Sequence, residues 1–312
     1  YGWLVIATAF LGALVATTVA QNVLGGVQDF IASDMNWDRK TIALFATSGT
    51  WISGLTMPFV GKLADRYDPR YIMSIAALSV AIGLIILSHV SSAWAFLAVY
   101  IIVRSIAGPN LQNVVPRTVA VNFFQRRRNL ALGITAQNRI IGEAINIQLI
   151  GFIASRVDWR LAYKVLGFAW LPLIVPLLVF MRRRPEDVGQ FPDGDTENLV
   201  HNGDKDGLSC PTSGNTLGYR DALRMRAFWY IVMAEFLTVT MTGAIMFQIV
   251  PLLYDAGLPH AVAVGALTTS VFAGGLLLPL WGYISDKLSV KLLAGSALLL
   301  TCFSTMAFLV LD

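Results

Sequence analysis

Long apolar runs separated by short charged stretches make up most of the chain. Read in a window of about 19 residues, the pattern predicts membrane spans over 3–27, 41–60, 71–90, 93–115, 129–154, 161–181, 228–253, 261–281 and 292–311. Each run is close to the ~20 residues with which an α-helix, rising ~1.5 Å per residue, crosses ~30 Å of hydrocarbon. A single run of this kind could be a buried helix of a large soluble protein; a succession of them with short polar breaks reads as a membrane bundle. Because lipid offers the backbone no hydrogen bonds, each span must satisfy its own N–H and C=O groups, so the expected fold class is all-α and polytopic.

The break after the sixth run differs in kind, since residues 182–227 are charged and rich in Gly, Asp, Asn and Pro. It reads as a polar linker. The organisation expected is a six-helix bundle over 1–181, a linker over 182–227, and the first three helices of a second bundle over 228–312. If the second bundle matches the first, three more spans are needed to complete it, and the chain alone is expected not to transport.

Composition supports the membrane reading: 56% of residues are hydrophobic and 13% charged, against roughly a quarter charged in a soluble domain. The net charge of +4 is not gathered on one soluble face, so nucleic acid is not an expected partner. It is instead sorted by loop, with fifteen Lys and Arg in loops after even-numbered spans and five in the opposite loops. The positive-inside rule then places Tyr1 and the linker in the cytoplasm of a cell-membrane protein, in a bacterium the inner membrane. Cys210 and Cys302 support neither a disulfide framework nor a metal cluster.

The stretch "GKLADRYDPR" at 61–70 sets five charged side chains between two apolar runs, and "GYISDKLSVK" at 282–291 echoes it. Gly61, Asp65, Arg66 and Arg70 recur as Gly282, Asp286, Lys287 and Lys291 at offsets 0, 4, 5 and 9, each copy after the second span of its bundle. An internal repeat of a whole bundle about an axis along the membrane normal is the economical explanation.

These residues resemble the major facilitator superfamily of secondary transporters, whose signature G-x-L-A-D-R-x-G-x-R is matched by Gly61, Leu63, Ala64, Asp65, Arg66 and Arg70, with Asp68 standing where the pattern has Gly. Arg104 followed by Gly108 matches a second signature, and "RRRNLALGIT" and "RRRPEDVGQFPDG" are similar to a bacterial branch related to monocarboxylate transporters and oxalate:formate antiporters. The resemblance implies alternating access about a central site, with the paired motif as a gate latch whose Asp contacts the partner bundle.

Charged residues inside spans carry the candidate chemistry. Arg104 and Arg139 each lie about 16 Å into their span at 1.5 Å per residue, where an arginine costs at least ~2.5 to 3.5 kcal/mol unless it faces a polar cavity or a partner. A guanidinium fork suits a carboxylate or phosphate, so both are candidate substrate-binding residues, with Thr17 and Gln21 as neutral hydrogen-bonding candidates. Thr135, Arg139, Glu143 and Asn146 follow offsets 0, 4, 8 and 11 and are expected on one helical face, with Glu143 pairing with Arg139. Glu143 and Glu235 are the proton-coupling candidates.

The expected function is secondary transport of a small organic anion, of which a monocarboxylate is the leading candidate, by proton symport or anion exchange. A multidrug or neutral-solute exporter of the same fold and a non-transporting membrane sensor are the alternatives. Span eight is uncharged and span one has no basic residue, which departs from eukaryotic members of the monocarboxylate group. His89, His201 and His260 fall at loops or span ends, and neither HExxH nor GxSxG is present, so no enzyme, metal or cofactor is expected. The partners expected are the bilayer, the anion and protons, with the chain a monomer.

Overall fold

The computed structural model describes residues 1–190, 223–238, 240, 257 and 260–287, with further residues between 293 and 303. All regular structure among them is helical. The chain divides into two units, residues 1–196 with 278–286, and residues 197–277 with 287–312. Lys291 and the linker residues 191–222 lie outside the described residues.

The first unit contains α1 (Gly2–Thr17), α2 (Gln21–Met35), α3 (Arg39–Arg66), α4 (Pro69–Leu87), α5 (Ala93–Ala107), a π-helical turn (Gly108–Asn113), α6 (Val114–Phe123), α7 (Arg128–Arg156), α8 (Trp159–Trp170), a 3-10 turn (Leu171–Leu173) and α9 (Ile174–Phe180). Beyond the helical run 226–238 comes α10 (His260–Lys287), whose residues 278–286 belong to the first unit. Among the described residues, four helical stretches, Gly2–Gly25, Pro69–Leu87, Ala93–Phe123 and Trp159–Phe180, are long and apolar enough to cross a membrane.

Local chemistry explains most boundaries. Asp38 and Asp68 cap α3 and α4, their carboxylates accepting the N–H groups of Lys40 at 3.4 Å and Arg70 at 3.1 Å. Pro69 starts α4 where a missing N–H is harmless, and Asn36, at φ 52°, ends α2 in the left-handed conformation that asparagine tolerates.

Three elements differ from the expected spans. First, α3 continues to Arg66, so Gly61–Arg66 forms its last turns, and Gly282–Asp286 likewise lies inside α10; the two charged stretches are mainly helix ends rather than loops. Second, the fourth span continues through the π-helical turn to Phe123. Pro109 there has no N–H for the Ser105 carbonyl, and Thr56 Oγ1 on α3 donates to that carbonyl instead at 3.2 Å.

Third, the first span is interrupted. Helical hydrogen bonding stops at Thr17, tightens into i→i+3 bonds through Thr18, Val19 and Ala20, and resumes at Gln21 after an extended Ala20 (φ −67°, ψ 151°). No proline or glycine lies between Thr17 and Gln21.

Packing places small residues where helices approach. α1 runs along α7, α3 along α5, and α4 along both α5 and α8. Met73, Ala77, Val80, Ala81 and Leu84 give α4 one fully enclosed face, each at 0% exposure. Gly83 lets α5 come so close that an added Cβ would overlap Val103. Such contacts replace the hydrophobic drive that lipid does not supply. The outer surface is apolar as well: Trp51, Leu55 and Phe59 on α3, at offsets 0, 4 and 8, are 72%, 69% and 71% exposed. A stripe of this kind suits lipid or another helix, not water.

The first linker residues fold back on this unit. Met181 and Pro185 are buried, Asn122 Nδ2 donates to the Arg183 carbonyl at 3.1 Å, and the Arg183 guanidinium donates to the Asp65 carbonyl.

Candidate functional site

α7 presents two adjoining faces. Ala131, Thr135, Asn138, Gly142, Asn146 and Ile150 are buried. This face meets α1: Asn146 Nδ2 donates to the Leu14 carbonyl at 2.8 Å and to Thr17 Oγ1 at 2.9 Å. Arg139 and Glu143 project from the neighbouring face, with side chains 55% and 13% exposed. The single polar stripe expected of α7 is therefore split, because Thr135 and Asn146 turn into the helix contact while Arg139 and Glu143 do not.

Arg139 Nε lies 3.2 Å from Glu143 Oε1, one turn along the helix. The other carboxylate oxygen accepts from Asn22 Nδ2 at 2.7 Å, which joins the first residues of α2 to the pair. The sequence reading missed Asn22. The signal available was the adjacent amides Gln21-Asn22 inside an apolar run. Gln21 is exposed, and its Oε1 accepts from Thr50 Oγ1 of α3 at 3.2 Å. Thr17 is fully buried, donating to the Leu14 carbonyl at 3.0 Å while accepting from Asn146. That places it in the α1–α7 contact and away from the exposed Arg139.

Arg104 lies on α5 against α3, close enough to Gly49 and Gly108 that added Cβ atoms would stand 3.5 Å from its Cγ and 3.7 Å from its Nη1. Its Nε and Nη1 are enclosed and have no hydrogen-bond partner among the described residues. Each unmet donor costs roughly 1 to 3 kcal/mol.

Glu235 belongs to the second unit, on the helical run 226–238, exposed in a concavity of about 490 Å³ lined by Ile231, Val232, Phe236 and Thr240. A concavity of about 580 Å³ beside α1 and α9 is almost wholly apolar and contains none of the charged candidates.

The two copies of the glycine-aspartate motif have different surroundings. Asp286 caps α7: Oδ1 accepts from the Asn129 N–H at 2.9 Å and Oδ2 from the Leu130 N–H at 3.0 Å, while Asn129 Nδ2 donates to the Ser285 carbonyl at 3.2 Å. Arg127, the residue just before α7, supplies no side-chain cap of its own. Gly282 and Gly133 make the approach possible, since a Cβ on either would stand 2.5 Å from the Asn129 carbonyl oxygen or 2.7 Å from that of Leu278. A carboxylate at a partly buried helix N-terminus contributes up to ~2 kcal/mol. In the first copy Asp65 is exposed and its backbone carbonyl accepts from Arg183. Asp68, the departure from the family pattern, caps α4 and accepts from Arg70 Nε at 2.9 Å. Arg66 and Arg70 lie 5.9 and 5.0 Å from the rings of Tyr67 and Tyr71.

Relatives and solved structures agree with this architecture. The sequence model of the Major Facilitator Superfamily matches residues 9–312. The chain is 23% identical over 263 residues to an uncharacterised MFS-type transporter, YcxA, of Bacillus subtilis (strain 168), covering 84% of this chain and 60% of that protein. It is 27% identical over 194 residues to an MFS-type transporter of Gibberella moniliformis (strain M3125 / FGSC 7600), covering 60% and 44%. It therefore spans well under two thirds of the length of either relative. The proton:xylose symporter XylE, bound to 6-bromo-6-deoxy-D-glucose, shares the fold at a TM-score of 0.62 and 14% identity, over 92% of this chain and 69% of that one. A bacterial homologue of the human lysosomal transporter Spinster, inward-facing and unoccupied, does so at 0.52 and 14%, over 93% and 63%. With nearly the whole sequence matched and the helical bundle reproduced, the chain belongs to the Major Facilitator Superfamily.

Proposed function

We propose that the protein is a secondary active transporter that moves a small organic anion, of the monocarboxylate class, by alternating access. The observation that carries this reading is Arg104, a cation inside a span with two enclosed donors that no described protein group meets. A carboxylate is the complement of such a fork. Arg139 supplies the second cation. Its bond to Glu143 gives the coupling: a substrate anion competes with Glu143 for Arg139, and the displaced carboxylate takes a proton as it loses its cation. Proton symport follows if that proton crosses with the anion, and anion exchange if a second anion replaces the first. Asp286 of α10 then acts as the latch, because α7 carries both Arg139 and Glu143 and the cap holds that helix by its first turn. The motif side is cytoplasmic in this reading, and Glu235 remains a second coupling candidate.

Uptake of labelled acetate, lactate and pyruvate into proteoliposomes holding the full-length protein tests the substrate class. Arg104→Gln and Arg139→Gln should each reduce uptake, and a pH dye in the lumen should report symport by acidifying. Full anion uptake in both variants would remove the assignment; uptake of neutral solutes alone would favour the exporter reading.

A further inference from the structure

The interruption of the first span is held open from three other helices. Where the helix stops, the Leu14 carbonyl loses its backbone partner, because the Thr18 N–H goes to Val15 instead. Asn146 Nδ2 from α7 fills that place at 2.8 Å, with Thr17 Oγ1 at 3.0 Å. Tyr100 from α5 donates its hydroxyl to the Val19 carbonyl at 3.1 Å. Trp170 from α8 donates Nε1 to Thr18 Oγ1 at 2.9 Å. Tyr100, Asn146 and Thr18 are all buried. With neither proline nor glycine present, inserted side-chain donors are the remaining cause of a break in the i→i+4 ladder.

The donors also lie beside the charged residues. Tyr100 is one turn before Arg104 on α5, and Asn146 is three residues beyond Glu143 on α7. Immediately after the break come Gln21 and Asn22, both exposed, with Asn22 on Glu143. An uninterrupted helix would turn each residue ~100° from the last and carry these two amides to another bearing.

We propose that Thr18–Ala20 is a positioning joint for the anion site: Tyr100, Asn146 and Trp170 fix the interrupted backbone so that Gln21 and Asn22 face Thr50 and Glu143. The inference rests on the anion reading for its purpose, but its geometry is measured without any substrate.

The experiment uses the full-length protein with its native cysteines replaced by serine and a reporter Gln21→Cys, labelled by a membrane-impermeant maleimide. Ser33→Cys, exposed at the far end of α2, serves as the control. Tyr100→Phe removes one hydrogen bond, and Thr18→Val removes the acceptor for Trp170 together with a long 3.5 Å bond to the Leu14 carbonyl, each with little change of shape. Each should lower labelling at position 21 by about five-fold, the shift that one ordinary hydrogen bond produces in a two-state equilibrium, and leave position 33 unchanged. Thr18→Ser, which keeps the acceptor for Trp170, should restore the parent rate. Should Tyr100→Phe fail to fold, the Thr18 pair reads the same joint. Unchanged labelling at position 21 in the variants, or an equal fall at both positions, overturns the joint. Absence of carboxylate uptake by the unsubstituted full-length protein overturns the anion reading instead and leaves the labelling result standing.

Discussion

Arg104 on α5 and Arg139 on α7 each stand about 16 Å from the start of a membrane span, by the helical rise. Their surroundings are opposite. Arg139 is more than half exposed and bound to a carboxylate one turn away, whereas Arg104 is pressed against α3 with two guanidinium nitrogens unmet among the described residues. The first arrangement leaves neither charge unmet and so does not work against the fold. The second works against it. A residue that destabilises its own site is best explained by a role the fold alone does not require, and the contrast between the two arginines can be broken or sharpened by substitution.

The largest effect is expected from Arg104→Met. Filling the site with an apolar chain of similar length removes the unmet donors, so thermal stability in detergent should hold or rise, while anion uptake should fall about a hundred-fold or more, ~2.7 kcal/mol of lost function. A variant that loses stability in step with uptake would show that Arg104 is part of the scaffold, and the contrast would fail. Arg139→Gln should reduce uptake by about ten-fold, chiefly through a higher KM; uptake assays over a substrate range separate KM from the maximal rate. The smallest effects compare the glycines beside each arginine. Gly142→Ala drives a Cβ to 2.7 Å from Thr17 Oγ1 and 3.5 Å from Leu14 Cα, both held by Asn146, so it should cost about 1 to 3 kcal/mol. Gly108→Ala meets the Ser53 hydroxyl at 2.6 Å, which can rotate away, and should cost less than ~1 kcal/mol. Thermal melts of the two variants rank them.

The helical class, most span positions and the Arg139–Glu143 pair were legible because each depends on local spacing: run length for the spans, one helical turn for the pair. The break after Thr17 was not, because its cause lies in Tyr100, Asn146 and Trp170, residues 81 to 152 positions away. The same limit explains α7. A period of 3.6 groups Thr135, Arg139, Glu143 and Asn146, but only the course of α1 decides which of them are enclosed. Asp286 shows the limit from the other side: its recurrence was visible in the sequence, while the N–H groups it binds, on Asn129 and Leu130, had no marker there beyond a helix beginning without a capping side chain.

The wide turn at Gly108–Asn113 has a consequence for everything beyond it. A rung closed over five residues instead of four inserts one surplus residue into the winding, and one residue is worth ~100° of azimuth. α6 therefore leaves the bundle on a compass bearing set by that single surplus. Wound as plain α-helix, the same chain would swing Val119 and Phe123 out of the core and pull Asn122 off the Arg183 carbonyl. The anchorage of the linker is in this sense dialled in from the middle of the fourth span.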